Sequence, residues 1–110
     1  MENNETAKLD YEIEQLKESN NLSECLILIE KNLLIKSEKY GKFSREFTKT
    51  AKELCEVCNL IALNLMENSN PEEGLKYLIK SEKLFQNYKD ILTLCYNNIG
   101  CYYILYNKFN

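Results

Sequence analysis

Residues 45–73 read REFTKTAKELCEVCNLIALNLMENSNPEE, and this stretch decides the fold. Phe47, Ala51, Leu54, Cys58, Ile61 and Leu65 recur at alternating spacings of four and three. That spacing places them along one side of a helix running from about Arg45 to Glu67. Cys55, Ala62 and Met66 widen the stripe. Ser44 stands where a hydroxyl caps the first turn. The run then stops at Asn68-Ser69-Asn70-Pro71-Glu72-Glu73. Asn70 suits a cap, Pro71 suits a first helical position because it has no N–H to leave unpaired, and the two glutamates complement the positive end of the next helix dipole. One strong seam with one strong boundary predicts long helices joined by tight breaks.

The flanking segments extend that reading. Leu9, Ile13 and Leu16 predict a first helix over about Thr6–Ser19, ended by Asn20-Asn21. Ser23 is the expected cap of a second helix reaching Tyr40, with Cys25, Leu26, Ile29, Leu33 and the stem of Lys36 on one side and Leu28 and Ile35 beside them. Gly41 supplies the positive-φ residue that closes it. A fourth helix follows Pro71, carrying Leu75, Leu78, Ile79 and Phe85 to about Asn87. Asp90 is the expected cap of a fifth, which runs to the end of the chain. Three Gly and one Pro in 110 residues give too little punctuation for a sheet protein. The expected fold is all-α: five helices in one domain over residues 1–110, with loops short enough to make neighbours antiparallel. Either a closed bundle or a stack of hairpins satisfies that pattern.

Composition narrows the function classes. The chain is 45% hydrophobic and 28% charged, with a net charge of −3, which is globular rather than disordered. Lys and Glu alternate on the helix faces, as at Glu30-Lys31 and Glu82-Lys83, so no phosphate-neutralising stripe is evident and a nucleic-acid partner is not expected. The acidic start, Met1-Glu2-Asn3-Asn4-Glu5, is unlike a secretory signal, and the apolar stretch Leu60–Met66 is too short to span a bilayer. Five cysteines without a signal point to free thiols in a reducing, intracellular, cytoplasmic setting.

No catalytic or cofactor chemistry is legible. There is no His, hence no Ser-His or Cys-His nucleophile, and three scattered glycines form no phosphate loop. Cys55-x-x-Cys58 puts two thiols on one helix face, but a closed zinc site needs four ligands. Cys95 and Cys101, six apart and about 240° around a helix, do not complete it. Small buried core residues explain these thiols better. Neither metal nor cofactor is expected.

The fifth helix carries a more specific pattern. Tyr96, Ile99, Gly100 and Tyr103, with Phe109 beyond them, resemble the aromatic, Leu-Gly and Tyr places of the tetratricopeptide (TPR) repeat and the aromatic that opens its turn. Cys58, Ile61, Ala62 and Leu65 fill the same places more faintly. Gly74, Leu78 and Ser81 stand at the small, large and small positions of the paired second helix, and Leu22, Cys25, Ile29 and Asn32 form a weaker copy. The resemblance covers about Leu22 to Asn110. Ala62 to Gly100 is 38 residues and Cys25 to Gly74 is 49, longer than the family's 34-residue unit, so the repeats resemble the elongated ones of the kinesin-light-chain group. That group's character makes cytoskeletal association one implication.

The resemblance implies a fragment of an α-solenoid of stacked hairpins that binds or scaffolds proteins and catalyses nothing. Carried over to this sequence, the partner-facing positions are Asn59 and Leu63 on the third helix and Asn97, Asn98, Cys101 and Leu105 on the fifth. The packing signature is Tyr96, Ile99, Gly100, Tyr103, Ala62 and Gly74. The carboxylate-clamp cations of the chaperone-binding subclass are missing at Glu56, Asn59, Leu60, Leu94, Asn97, Asn98 and Cys101. A second reading is a purely architectural subunit held through the aromatic face of the last helix, including self-association there. A remote third is an RNA-binding helical repeat of the pentatricopeptide kind, which the acidic balance disfavours. Because Tyr96, Ile99 and Tyr103 lack a following helix, the sequence also reads as the N-terminal part of a longer chain, or as one covered there by another subunit.

Overall fold

The computed structural model describes residues 4–109, and among them every regular element is a helix: α1 Asn4–Glu18, α2 Leu22–Tyr40, α3 Arg45–Glu67, α4 Pro71–Leu84 and α5 Lys89–Phe109. The all-α expectation of five helices holds. The chain divides into two compact units that part inside α3, one up to Val57 and one from Cys58 onward.

The first unit holds α1, α2 and the beginning of α3. α1 ends at a Schellman turn: Asn20 sits at φ +63°, its N–H donates to Lys17 O at 3.1 Å, and the Asn21 N–H donates to Leu16 O at 2.9 Å. Asn21, not Ser23, is the cap of α2, and it caps through its backbone, with no side-chain cap bond. The turn already fixes Asn21 at the junction, so α2 begins one residue before Ser23. Leu9 and Ile13 of α1 are buried with Leu22, Cys25, Leu26, Ile29 and Leu33 of α2 and Phe47, Ala51 and Leu54 of α3. Gly41 closes α2 at φ +97°, a conformation that a Cβ disfavours. Ser44 caps α3 as expected: its Oγ accepts from the Phe47 N–H at 3.1 Å and donates to Gly41 O at 2.7 Å.

The second unit repeats the device. Ser69 takes φ +64°, its N–H donates to Met66 O at 3.1 Å, and the Asn70 N–H donates to Leu65 O at 2.7 Å. Pro71 then opens α4 at its first position, with Asn70 as a backbone cap only. α4 stops at Leu84, three residues before the expected Asn87. There the Phe85 N–H bonds to Ser81 O at 3.1 Å and the Tyr88 N–H to Phe85 O at 3.0 Å, forming a turn. This turn places Asp90 inside the first turn of α5 rather than at its cap. Asp90 there complements the helix dipole. α5 remains helical through Phe109, where a turn was expected; the Phe109 side chain and Asn110 lie outside the described residues. The core of this unit is Ala62, Met66, Leu78 and Tyr102, with Leu63, Leu75, Ile99, Leu105 and Tyr106 packed against it.

Candidate functional site

The two hairpins, α1–α2 and α3–α4, are related residue by residue at an offset of 49. Both turn through three residues with the same pair of closing bonds. The Asn21 carbonyl accepts from the Cys25 N–H at 3.0 Å, and the Asn70 carbonyl accepts from the Gly74 N–H at 3.2 Å. Cys25, Ile29 and Asn32 on α2 correspond to Gly74, Leu78 and Ser81 on α4, and all six are buried. Across the helices the match continues. The Cys25 thiol lies over Ile13 O at 3.6 Å, while a Cβ on Gly74 would stand 2.7 Å from Ala62 O. Ile13 and Ala62 are themselves 49 apart.

The approach at Gly74 leaves no room for a side chain. A Cβ there would also lie 3.2 Å from Ala62 Cα and would collide with the Tyr102 hydroxyl. Gly74 packs directly against the Ala62 backbone. Tyr102 seals the contact: it is 2% exposed, and its hydroxyl donates to Pro71 O at 2.5 Å. Burial, then the nearby Tyr106, raises its pKa. The repeat resemblance implies Tyr96 and Tyr103 as fillers of the groove between paired helices and, with no following helix here, as an open apolar face. In fact Ile91, Cys95 and Tyr102 are the buried positions of α5, with Asn98, Leu105 and Tyr106 half-buried beside them. A four-three-four spacing from Ile91 to Tyr102 carries that signal, which the repeat motif does not include.

Tyr96 and Tyr103, seven residues apart, lie on one flank of α5, about a third of the way round the helix from the packed stripe. They are 55% and 47% exposed, and Ile104 beside them is 67% exposed. Gly100 lies between them on the surface, with nothing within 4 Å of where its Cβ would be. Helix α5 therefore has two apolar stripes, one packed in the unit's core and one turned outward. Where the two meet, Pro71, Glu72, Leu75, Tyr102, Tyr103 and Tyr106 line a predominantly apolar cavity of about 190 Å³. The Pro71 end of α4 forms one wall and the α5 tyrosines the other.

The expected partner-facing residues separate into two sets. Leu63 and Leu105 pack against the core of the second unit, so their side chains serve the fold first. Asn97 and Cys101 are exposed one turn apart on α5, and Asn98 and Asn59 are half-buried. Asn97, Cys101, Tyr96, Gly100 and Tyr103 thus share the exposed part of α5.

The first unit holds a polar cluster that no motif announced. The buried Lys36 ammonium donates to Thr50 Oγ1 at 2.9 Å and to the two oxygens of Asp10 at 3.0 and 3.3 Å. Asn32 adds a bond to Asp10 at 2.8 Å. Nearby, Lys17 reaches Glu56 at 3.1 Å and Glu53 at 3.5 Å. Burial raises the Glu53 pKa, with Lys17 opposing it. Burial lowers the Lys17 pKa, but the Glu56 hydrogen bond and the surrounding carboxylates more than offset this and leave it raised. Burial, and then Glu53, push the Cys25 thiol up to about 11. Cys25, Cys55, Cys58 and Cys95 are free and buried, and Cys101 is free and exposed. Among the described residues no group of three or more His, Cys, Asp or Glu could hold a metal ion. Nor is any helix long and apolar enough to cross a membrane.

No family model, no curated protein and no solved structure matches this chain.

Proposed function

We propose that this chain is a non-catalytic protein-interaction module built from TPR-like helical hairpins, and that it meets its partner through the outer stripe of α5. The observation that carries the reading is Tyr96, Tyr103 and Ile104 standing exposed around a bare Gly100 on a helix whose other stripe is already packed. Contiguous exposed aromatic surface of this kind marks an interaction site more often than an idle face, and aromatic anchors dominate interface energetics. The nesting of Ala62 against Gly74 and the repetition at 49 residues support a hairpin-repeat architecture over an arbitrary bundle. On this reading the partner is a protein or peptide in the cytoplasm, and the chain binds neither nucleic acid nor a membrane.

The test is retention of the partner from cell extract by four forms of the full chain. They are the wild type, a Tyr96→Glu/Tyr103→Glu form, a Gly100→Arg form, and an Asn59→Ala/Asn97→Ala/Asn98→Ala form. Loss with the first two variants and not the third assigns binding to the aromatic stripe. Loss only with the third assigns it to the amide-lined face instead. A concentration-dependent dimer in sedimentation that Tyr96→Glu/Tyr103→Glu abolishes would identify the second copy as the partner, the architectural reading. Equal retention by all four forms overturns the proposal.

A further inference from the structure

The junction of α2 and α3 carries a charge opposite to the rest of the chain. Residues 39–52 hold five cations (Lys39, Lys42, Arg45, Lys49 and Lys52) against one carboxylate, Glu46. That is +4 in a chain of net charge −3, so the remaining residues carry −7. Arg45, Lys49 and Lys52 stand at i, i+4 and i+7 of α3, on one face, and all three are exposed. Phe43, in the loop just before them, is 84% exposed. Together with Ser44 and Thr48 they line an open groove of about 530 Å³.

The cations elsewhere in this unit that sit near carboxylates are paired with them: Lys17 with Glu53 and Glu56, Lys36 with Asp10. Among the described residues no ion pair reaches Lys42, Arg45, Lys49 or Lys52. Three cations without an ion pair line one groove with an exposed aromatic ring, which complements an anion that also has an apolar part. An aromatic ring offers a large apolar area for a partner's side chain to bury.

We infer that this groove docks a short acidic segment of a partner protein: an extended stretch with carboxylates at alternate positions and an apolar side chain resting on Phe43. The dimensions favour a peptide. Arg45 to Lys52 spans roughly 10 Å of helix at about 1.5 Å per residue. Three residues of extended chain cover the same length at about 3.3 Å each. Alternate side chains of such a segment share one side and repeat about every 6.6 Å, close to the roughly 6 Å axial step from Arg45 to Lys49. A nucleic-acid duplex or an anionic bilayer presents phosphates over a far wider area than this groove spans. The groove shares no residue with the α5 stripe, so either assignment stands if the other fails.

The experiment is fluorescence anisotropy on the full chain with a labelled peptide reading Leu-Ser-Glu-Ser-Glu-Ser-Glu, whose Leu and three Glu share one side of an extended chain. Its Glu-to-Gln counterpart serves as the uncharged control. Parallel arms use phosphatidylcholine vesicles containing phosphatidylserine, and a short DNA duplex. Saturable binding of the acidic peptide is expected, with none of the uncharged one. The affinity should fall several-fold when ionic strength rises from about 0.05 to about 0.2 M, because the contacts are surface charges. Arg45→Glu/Lys49→Glu should weaken binding at least about tenfold and Phe43→Ala about three- to tenfold, both with unchanged circular dichroism, since all three side chains are exposed. Absence of saturable peptide binding at low salt overturns the inference. So does equal binding by the charge-reversed form, or preferential binding of vesicles or duplex.

Discussion

Gly74→Ala and Gly100→Ala are the same chemical change on two helices, and the account predicts opposite signs for them. In an exposed helix interior, replacing Gly by Ala stabilises by about 0.5–1 kcal/mol, because the unfolded chain loses freedom it would otherwise have. At Gly100 nothing lies within 4 Å of the added methyl, so that gain should appear in full. At Gly74 the methyl would lie 2.7 Å from Ala62 O, a backbone atom that does not rotate away, and would strike the Tyr102 hydroxyl. Separating α4 from α3 to relieve this is an overpacking change of about 1–3 kcal/mol. Displacing Tyr102 also removes its bond to Pro71 O, worth about 1 kcal/mol. After the propensity gain, a net loss of about 1–3 kcal/mol remains. This corresponds to roughly 4–8 °C in Tm per kcal/mol for a domain near this size. Urea unfolding followed by far-ultraviolet circular dichroism measures both variants. Adding Tyr102→Phe to Gly74→Ala should recover part of the loss, because it removes one of the two obstacles and leaves the Ala62 carbonyl. A Gly74→Ala protein as stable as wild type, or a Gly100→Ala protein less stable by more than about 1 kcal/mol, would refute the reasoning.

Other perturbations follow from the same geometry. Tyr102→Phe alone should destabilise by only about 0.5–1 kcal/mol, since the Pro71 carbonyl keeps its helical bond, whereas Tyr102→Ala should cost about 3–5 kcal/mol; urea midpoints distinguish the two. Asp10→Ala should cost more than Lys36→Met. The first strands a buried ammonium with only Thr50 for about 3 kcal/mol, while the second leaves a half-exposed carboxylate that water and Asn32 still serve, for about 1–2 kcal/mol. Equal losses would contradict the placement of the charge. The Cys25 thiol, raised to about 11 from 9.0, keeps its proton in the folded chain where the unfolded chain has lost it. Stability therefore falls as pH rises between those values, by roughly 2–3 kcal/mol, and Cys25→Ala should remove that component from the alkaline limb. Thiol labelling near pH 8 should modify Cys101 quickly and Cys25 slowly, since about a thousandth of the latter is thiolate.

Much of the fold was legible because it is written in local signals. The seam from Phe47 to Leu65 and the Ser44 cap set α3, and Pro71 and Gly41 marked a start and a stop that the backbone respects. Ala62 and Gly74 were legible as a pair because small residues twelve apart, across a tight turn, have few other uses. What escaped was decided by geometry between helices. Ser23 lost the cap to Asn21 because the Schellman turn that ends α1 fixes where α2 begins. Periodicity places the stem of Lys36 in the seam but not its ammonium, which is enclosed by Asp10 and Thr50, partners 26 and 14 residues away. The burial of Tyr102 lies outside the repeat motif, which marks Tyr96 and Tyr103, and is decided by the approach of α4 to α3 and α5. The basic groove was hidden by the overall acidity of the chain, and only the side-chain positions of Arg45, Lys49 and Lys52 separate it from an ordinary solvated face.

The central claim is that α5 has one aromatic side packed and another reserved for a partner. Hydroxyl-radical oxidation of tyrosines, read by mass spectrometry on the free chain and on the partner-bound chain, tests it most directly. Tyr102 should resist oxidation in both states. Tyr96 and Tyr103 should oxidise readily when free and become several-fold less reactive when bound, while the exposed Tyr11 of α1 stays unchanged as the reference. Tyr96 and Tyr103 protected in the free monomer, or fully reactive in the complex, would contradict the account.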